Sequence, residues 1–317
     1  MNALTIIICT WNRAGSLRAT LDSLAAQRGA EALEIIVVDN NSADDTASVV
    51  ADYSASLPPG RLRYVFEGRQ GKQFALNSGI RASTAALLAF TDDDILFPPD
   101  WADSILAAFS DLAIEVAGGR TLLTWPGGIP AWYDESMAAI LGGVDLGPAR
   151  LLPAPSNYAP AGANLVVRRN VFDRVGMFSE AHFRHMDFEF GQRCIHAGVA
   201  VAYEPTLLVW APVDPAMLSK RYFRRWSFKA GIVHDNDAPI EGARLLRVPR
   251  WVFRELAADA LHLPLDQLFS APKVRFARQL RLWRRIGTVA SLWYVSLWPD
   301  KFPAWVAKYS QKRQNVF

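Results

Sequence analysis

Three consecutive aspartates, Asp92, Asp93 and Asp94, follow an apolar run at residues 86–90. Carboxylates this close repel one another, so keeping them ionised requires a cation, backbone donors or water. A hard divalent ion such as Mg2+ or Mn2+ meets the need, because it takes one or two carboxylates and completes its shell with water and substrate phosphate oxygens. Asp92 and Asp94 are the candidate ligands. A solvated turn ahead of a helix starting near Pro99-Asp100 is the plainer alternative. Three further polar runs also follow or lie between apolar segments: Thr10-Trp11-Asn12-Arg13, Asp39-Asn40-Asn41-Ser42 and Gly71-Lys72-Gln73. Ligands of open α/β sheets collect beyond the carboxyl ends of the strands. Hydrogen-bonding groups, a cation and clustered carboxylates would then converge on one rim, as a nucleoside diphosphate with a divalent ion requires.

The elements that must position these groups are read from periodicity. Residues 4–10 form a β-branched run, and Leu17, Leu21 and Leu24 then set a helical spacing. Residues 34–39 read as a strand buried on both faces, and residues 44–53 as a helix with Ala47, Val50 and Ala51 inward. Strands at 62–66 and 86–90 flank a helical pattern at 74–80. This alternation predicts an α/β layer fold, a mostly parallel twisted sheet flanked by helices. Gly and Pro become dense between residues 125 and 160, which predicts long loops or a lid. Pattern resumes at 164–167, then a helix at 187–196, a strand at 199–203 and two or three Arg- and Trp-rich helical segments beyond Met217.

Composition narrows the classes. The 317 residues are 51% hydrophobic, enough for one large domain or a domain with an appendage. Cys9 and Cys194 suggest neither a disulfide framework nor a metal clip, and suit a reducing cytoplasm. The start, Met1-Asn2-Ala3, runs straight into a strand without a signal-peptide pattern, which predicts a cytoplasmic protein. The longest apolar stretch near the end, residues 288–298, falls far short of the roughly 20 residues that span a bilayer.

The net charge of +3 is uneven: residues 1–214 carry 15 Lys/Arg against 24 Asp/Glu, residues 215–317 carry 19 against 7. Residues 220–229 and the run Arg275, Arg278, Arg281, Arg284 and Arg285 around Phe276, Leu280, Trp283 and Ile286 suit amphipathic helices. Such helices lie on an anionic membrane surface, making the protein peripheral on the inner face of the membrane, or form a cap with solvated arginines. Nucleic acid is excluded as a partner, since no reader motif is present and the acidic first part repels phosphate backbones.

Several ordered segments together resemble the family 2 glycosyltransferases of GT-A fold. Thr10-Trp11-Asn12-Arg13 is similar to the family's opening TYNR segment, with Trp for Tyr. Val37-Val38-Asp39-Asn40-Asn41-Ser42-Ala43-Asp44-Asp45-Thr46 matches VVDNxSxDxT, and the segment from Gly71 to Gly79 resembles GxxxAxNxG. Asp92-Asp93-Asp94 resembles the DxD metal motif. Gly162-Ala163-Asn164, Val175-Gly176-Met177-Phe178 and the EDxExxxR-like segment from Met186 to Arg193 resemble the acceptor side, with Met186 where the family has Glu. The resemblance covers roughly residues 3–210.

The resemblance implies a GT-A nucleotide-diphospho-sugar transferase fold over residues 1–214, with nucleotide-binding (about 1–120) and acceptor-binding (about 121–214) parts, and a basic helical extension over 215–317. It implies that Thr10, Trp11, Asn12, Arg13, Asn41, Lys72, Asn77, Asp92 and Asp93 contact the nucleotide, that Asp39 contacts its base, and that Asp94 with Asp92 ligates Mg2+ or Mn2+. Asp187 is then the catalytic base. Glu189 is its rival, and equally suits an ion pair with Arg193 one turn on. With one base and no second nucleophile, the expected reaction is a single inverting displacement from a UDP-sugar, or from dTDP-rhamnose or GDP-mannose. The acceptor would be a saccharide or lipid-linked saccharide in cell-surface polysaccharide or glycolipid assembly. His182, His185 and His234 are isolated histidines that could contact phosphate, acceptor or metal. A sugar-phosphate nucleotidyltransferase, a catalytically silent sugar-nucleotide-binding scaffold and a glycoside hydrolase are the competing classes. Thr10-Trp11-Asn12-Arg13 in place of a Gly-rich loop, and the nucleotide-like strand ends, argue against the first and the last.

Overall fold

The run Leu-Thr-Ile-Ile-Ile-Cys-Thr forms strand β1 (Leu4–Thr10), which pairs in parallel with β2 (Leu33–Asp39) on one side and β4 (Leu87–Asp92) on the other. Strand β3 (Leu62–Phe66) extends the sheet beyond β2, also in parallel. Helices cover both faces, so the central strands are buried nearly along their whole length rather than at alternate positions. Ile6, Ile8, Ile35 and Val37 pack with Leu17, Leu21 and Leu24 of α1 (Ala14–Ala25) and Val49 and Val50 of α2 (Thr46–Ser56). Ile7, Ile36 and Val38 pack oppositely, with Ala75, Leu76 and Ile80 of α3 (Lys72–Ala82). Each Ile, Leu or Val among them contributes roughly 1.5–3 kcal/mol on full burial. The structure, a computed structural model, describes residues 3–28, 33–156, 158–181, 186–233 and 243–310.

After α4 (Trp101–Ala108) come β5 (Val116–Thr124), β6 (Leu165–Arg168), α5 (Arg169–Val175), α6 (Met186–His196) and β7 (Val201–Pro212). The seven strands are ordered β3-β2-β1-β4-β6-β5-β7, with β6 antiparallel to both neighbours and β7 parallel to β5. This is the mostly parallel α/β sheet that periodicity predicts. Strand β5 is not legible in advance, because Gly118-Gly119 interrupts it and glycine weakens a strand interior. The geometry explains the residue: a Cβ on Gly119 would lie 1.9 Å from the carbonyl oxygen of Leu207, so only glycine lets β5 approach β7 here.

The chain divides into two compact units, one of residues 1–124 and 142–212, the other of residues 125–141 and 213–317. The second unit contains α7 (Lys220–Val233), the two-stranded hairpin β8 (Arg244–Leu245) and β9 (Val248–Pro249), α8 (Arg250–Phe269), α9 (Pro272–Leu297) and α10 (Phe302–Ser310). Helices α7 and α9 meet backbone to backbone: a Cβ on Gly231 would lie 2.0 Å from the Arg284 carbonyl, and one on Gly287 2.1 Å from that of Phe228. The α9 arginines do not form one solvated face. Arg278 pairs with Asp266 at 2.8 Å, Arg281 with Asp259 at 3.3 Å and Arg285 with Glu255 at 2.7 Å, all on α8. Those acids are what a helical reading of α9 alone leaves out. No helix of the described residues is long and apolar enough to cross a membrane.

Candidate active site

The register of the parallel strands aligns Thr10 with Asp39 and Cys9 with Asp92, so the polar runs after β1, β2 and β4 emerge at the same edge of the sheet. Asn12, in the left-handed region at φ 52°, a conformation asparagine tolerates, ties the first two together. Its side-chain oxygen accepts from the Ala43 amide at 2.7 Å, and its own amide donates to Ser42 Oγ at 2.9 Å.

Asp39 is buried, accepting from the Ser42 amide at 2.8 Å and from the Tyr64 hydroxyl at 2.7 Å. Its neighbour Asn40 binds the next loop, donating to the carbonyl of Arg69 at 2.7 Å and accepting from the Gly71 amide at 2.7 Å. This holds the turn from which α3 starts and so fixes Lys72, its first residue. Asn41 is exposed with φ 65°, and Trp11 is half-buried.

The acidic triplet is compensated from two sides. Arg13 places Nη1 3.0 Å from Asp93 Oδ1 and Nη2 2.7 Å from Asp94 Oδ2. Asp93 is buried and also accepts from the Thr10 hydroxyl at 2.7 Å. Burial pushes its carboxyl up to about 6, against the pull of Arg13 and of that hydroxyl. Lys72 forms an ion pair with Asp92. Burial of the Lys72 ammonium works against its charge, but Asp92, then Cys9 and Asp187, outweigh it and hold its pKa above the ordinary lysine value. Asp187 thus acts electrostatically on the same ammonium that pairs with Asp92.

Asp187 stands in the first turn of α6, with Oδ2 accepting from the Gly162 amide at 2.8 Å and Oδ1 from its neighbour's amide, Phe188, at 2.9 Å. Glu189, on the same turn, is gripped by Arg193, whose Nε and Nη2 donate at 2.8 and 2.9 Å. That guanidinium also donates to the carbonyls of Val175, Gly176 and Met177. Asn77, placed with the nucleotide contacts by its motif, is buried and spends its amide on Phe178, donating to the carbonyl at 2.9 Å and accepting from the amide at 3.1 Å. It joins α3 to the segment leading towards α6.

Asp92 and Asp94 keep about one-third of their side-chain surface open. Among the described residues no three His, Cys, Asp or Glu side chains form a cage for a metal ion, and His182, His185 and His234 lie outside those residues. Sequence reasoning placed Asn40 and Gly162 in their motifs without assigning them partners, and missed Tyr64. Tyr64 had a usable signal, since β3 pairs it with Val37 and so sets it diagonal to Asp39.

Comparison with known proteins bears on the same segments. Glycosyltransferase AglE of Haloferax volcanii is 27% identical over 225 residues, covering 70% of this chain and 71% of that protein. The pre-mycofactocin glycosyltransferase of Mycobacterium tuberculosis (strain H37Rv) is 31% identical over 214 residues, which span 65% of this chain and 42% of that protein's length. Validoxylamine A glucosyltransferase of Streptomyces hygroscopicus is 42% identical over 108 residues, 33% of this chain and 25% of its own length. Among solved structures, mannosyltransferase PcManGT from Pyrobaculum calidifontis, in complex with GDP-Man and Mn2+, superposes with a TM-score of 0.58 at 19% identity, covering 96% of this chain and 79% of that one. S. aureus TarS 1–349 in complex with UDP-GlcNAc gives a TM-score of 0.52 at 14% identity, covering 97% and 88%. These likenesses show a GT-A glycosyltransferase fold. The model of glycosyl transferase family 2 matches residues 5–175, more than half of the sequence, and the chain belongs to that family.

Proposed function

We propose that the chain transfers a sugar from a nucleoside diphosphate sugar, a UDP-sugar first, to the hydroxyl of a saccharide or lipid-linked saccharide, with inversion, in cell-surface polysaccharide or glycolipid assembly at the cytoplasmic side of the membrane. The observation that supports this reading is that Gly162 donates to Asp187 at 2.8 Å while the carbonyl of the next residue, Ala163, accepts from the Thr91 hydroxyl at 2.9 Å, so the candidate base is tied through one short loop to the strand end that carries the acidic triplet.

In this reading Asp39 receives the nucleobase, Thr10, Trp11, Asn12 and Asn41 line the nucleoside, and Arg13 and Lys72 turn from their carboxylates to the diphosphate. The acceptor oxygen attacks the anomeric carbon from the face opposite the leaving group. Its proton passes to a carboxylate oxygen of Asp187, the new carbon–oxygen bond forms, and the old bond breaks with its electron pair leaving on the nucleoside diphosphate. The amides of Gly162 and Phe188 hold the Asp187 carboxylate in place for that transfer. Glu189 is committed to Arg193, which favours Asp187 as the base.

The donor set fits a divalent ion of the Mg2+ or Mn2+ kind: Asp92 and Asp94 offer hard oxygens on a partly open edge, and such ions are commonly held by one or two carboxylates plus substrate phosphates. When bound, the ion would neutralise charge developing on the departing diphosphate. PcManGT, with its Mn2+ and GDP-Man, has the same fold.

The test is turnover of a panel of sugar nucleotides with Mn2+, Mg2+ or chelator, in wild type, Asp94→Ala and Asp187→Asn, with the anomeric configuration of the product read by NMR. Transfer that needs the ion and both carboxylates and inverts the anomeric centre is the expected result. Tight donor binding without turnover would instead identify a silent binding module.

A further inference from the structure

We propose that the β8–β9 hairpin and the end of α9 form a docking surface for an anionic lipid bilayer, a surface separate from the arginine face of α9. The inference does not rest on the catalytic reading.

The hairpin turns over two residues, Leu246 and Arg247, both in the left-handed region at φ 48° and 68°. Two-residue turns of this hand select Asn and Gly, because a Cβ with an ordinary side chain is strained there. Such strain persists where surrounding structure imposes it, and α9 does so here. The indole of Trp293 donates to the Leu246 carbonyl at 2.9 Å, and the Arg247 guanidinium donates to the Ser296 carbonyl. The pinned tip presents apolar side chains to solvent: Leu246 is 68% and Leu245 51% exposed, beside Trp293, with Leu297 and Trp298 exposed at the adjoining end of α9.

The hairpin and the start of α8 are basic, with Glu255 the next acid on α8 and Asp300 the next beyond the end of α9. Residues 243–254 contain Arg244, Arg247, Arg250 and Arg254, all exposed, and no acid. Arg278, Arg281 and Arg285 of α9 pair with carboxylates on α8, so the arginine face of α9 is not the surface proposed. Leucines that enter the acyl boundary, indoles that sit at headgroup level and guanidiniums that meet lipid phosphate are the chemistry of an interfacial membrane contact. A rigid tip adds little ordering cost on docking.

The experiment is co-sedimentation of the full chain with vesicles of phosphatidylglycerol and phosphatidylcholine, or of phosphatidylcholine alone, for wild type and for Leu245→Ser/Leu246→Asn. Asparagine tolerates the left-handed turn, so this variant should fold as well as wild type, checked by its melting temperature. Expected are salt-sensitive binding of wild type to the phosphatidylglycerol vesicles only, and a loss of about tenfold or more in the variant at unchanged or raised melting temperature. Three results would overturn the proposal: no binding by wild type, equal binding by the folded variant, or a lipid-free dimer that dissociates in the variant, which would make the patch an interface between copies.

Discussion

The guanidinium of Arg13 donates to Asp94 at 2.7 Å while its other nitrogen contacts Asp93 at 3.0 Å, so the residue at the start of α1 acts as the standing counter-ion of the triplet. A divalent ion bound at Asp94, as proposed, would compete with that contact. In Arg13→Ala the two carboxylates repel each other, and Asp93 loses its charged partner in a buried position. The loss should be roughly 1–3 kcal/mol, less than for a fully buried pair because Arg13 is 40% exposed. Saturating Mn2+ should then raise the melting temperature of Arg13→Ala more than that of wild type. Equal metal-induced shifts in the two proteins would show that ion and guanidinium do not share these carboxylates.

Asp187→Asn tests the base. The substitution removes the proposed proton acceptor, and kcat should fall about 100- to 10,000-fold with donor affinity unchanged within about threefold. It also turns an amide NH2 towards one of the two backbone N–H groups that the carboxylate accepts from, costing about 1 kcal/mol. A small drop in melting temperature is therefore part of the prediction. Calorimetric donor binding and steady-state kinetics separate the effects, and a kcat within tenfold of wild type would remove Asp187 from the role.

How far sequence reaches this site depends on the kind of signal. Strand ends and helix starts were legible because β1, β2 and α3 have unambiguous apolar periods, and polar residues just past them have one rim to occupy. Asn77 shows the limit. Its motif spacing fixes that it matters, but its bonds to Phe178, 101 positions later, depend on a tertiary approach that local pattern does not encode. The α9 arginines fail in the same way, since their partners lie on α8 and a helical wheel drawn for one helix cannot contain them. Strand β5 was hidden for the opposite reason, because Gly119 reports a close backbone contact in three dimensions while reading locally as a strand breaker.

Glu189→Gln should be a stability variant. The carboxylate holds Arg193 in a two-pronged contact at 2.8 and 2.9 Å, and Arg193 in turn closes the carbonyls at the end of α5. Loss of one charge from a partly exposed fork should cost about 1 kcal/mol, read by urea denaturation, with kcat within a few-fold of wild type. A kcat loss comparable to that of Asp187→Asn at unchanged stability would hand the base role to Glu189.

Glu67 gives the loop before α3 a pH dependence. It accepts from Arg69 at 3.1 Å and from the Ser78 hydroxyl at 2.6 Å, and its carboxyl is lowered from 4.5 to about 2, chiefly by the Arg69 bond and then, against the cost of burial, by Ser78. A carboxyl depressed by folding stabilises the native state above its unfolded pKa, and that contribution fades as pH falls towards the folded one. Arg69 is 52% exposed and solvent screens the pair, so the stabilisation expected at neutral pH is about 1–2 kcal/mol rather than the full linkage value. Glu67→Gln should therefore be less stable than wild type by that amount from pH 7 down to about 5. The gap should narrow as pH falls from 4.5 towards 2, because protonation then removes from wild type the same charge that the substitution removes permanently. Urea midpoints across that range measure it, and a gap that stays constant would mean that Glu67 acts through shape and not through its charge.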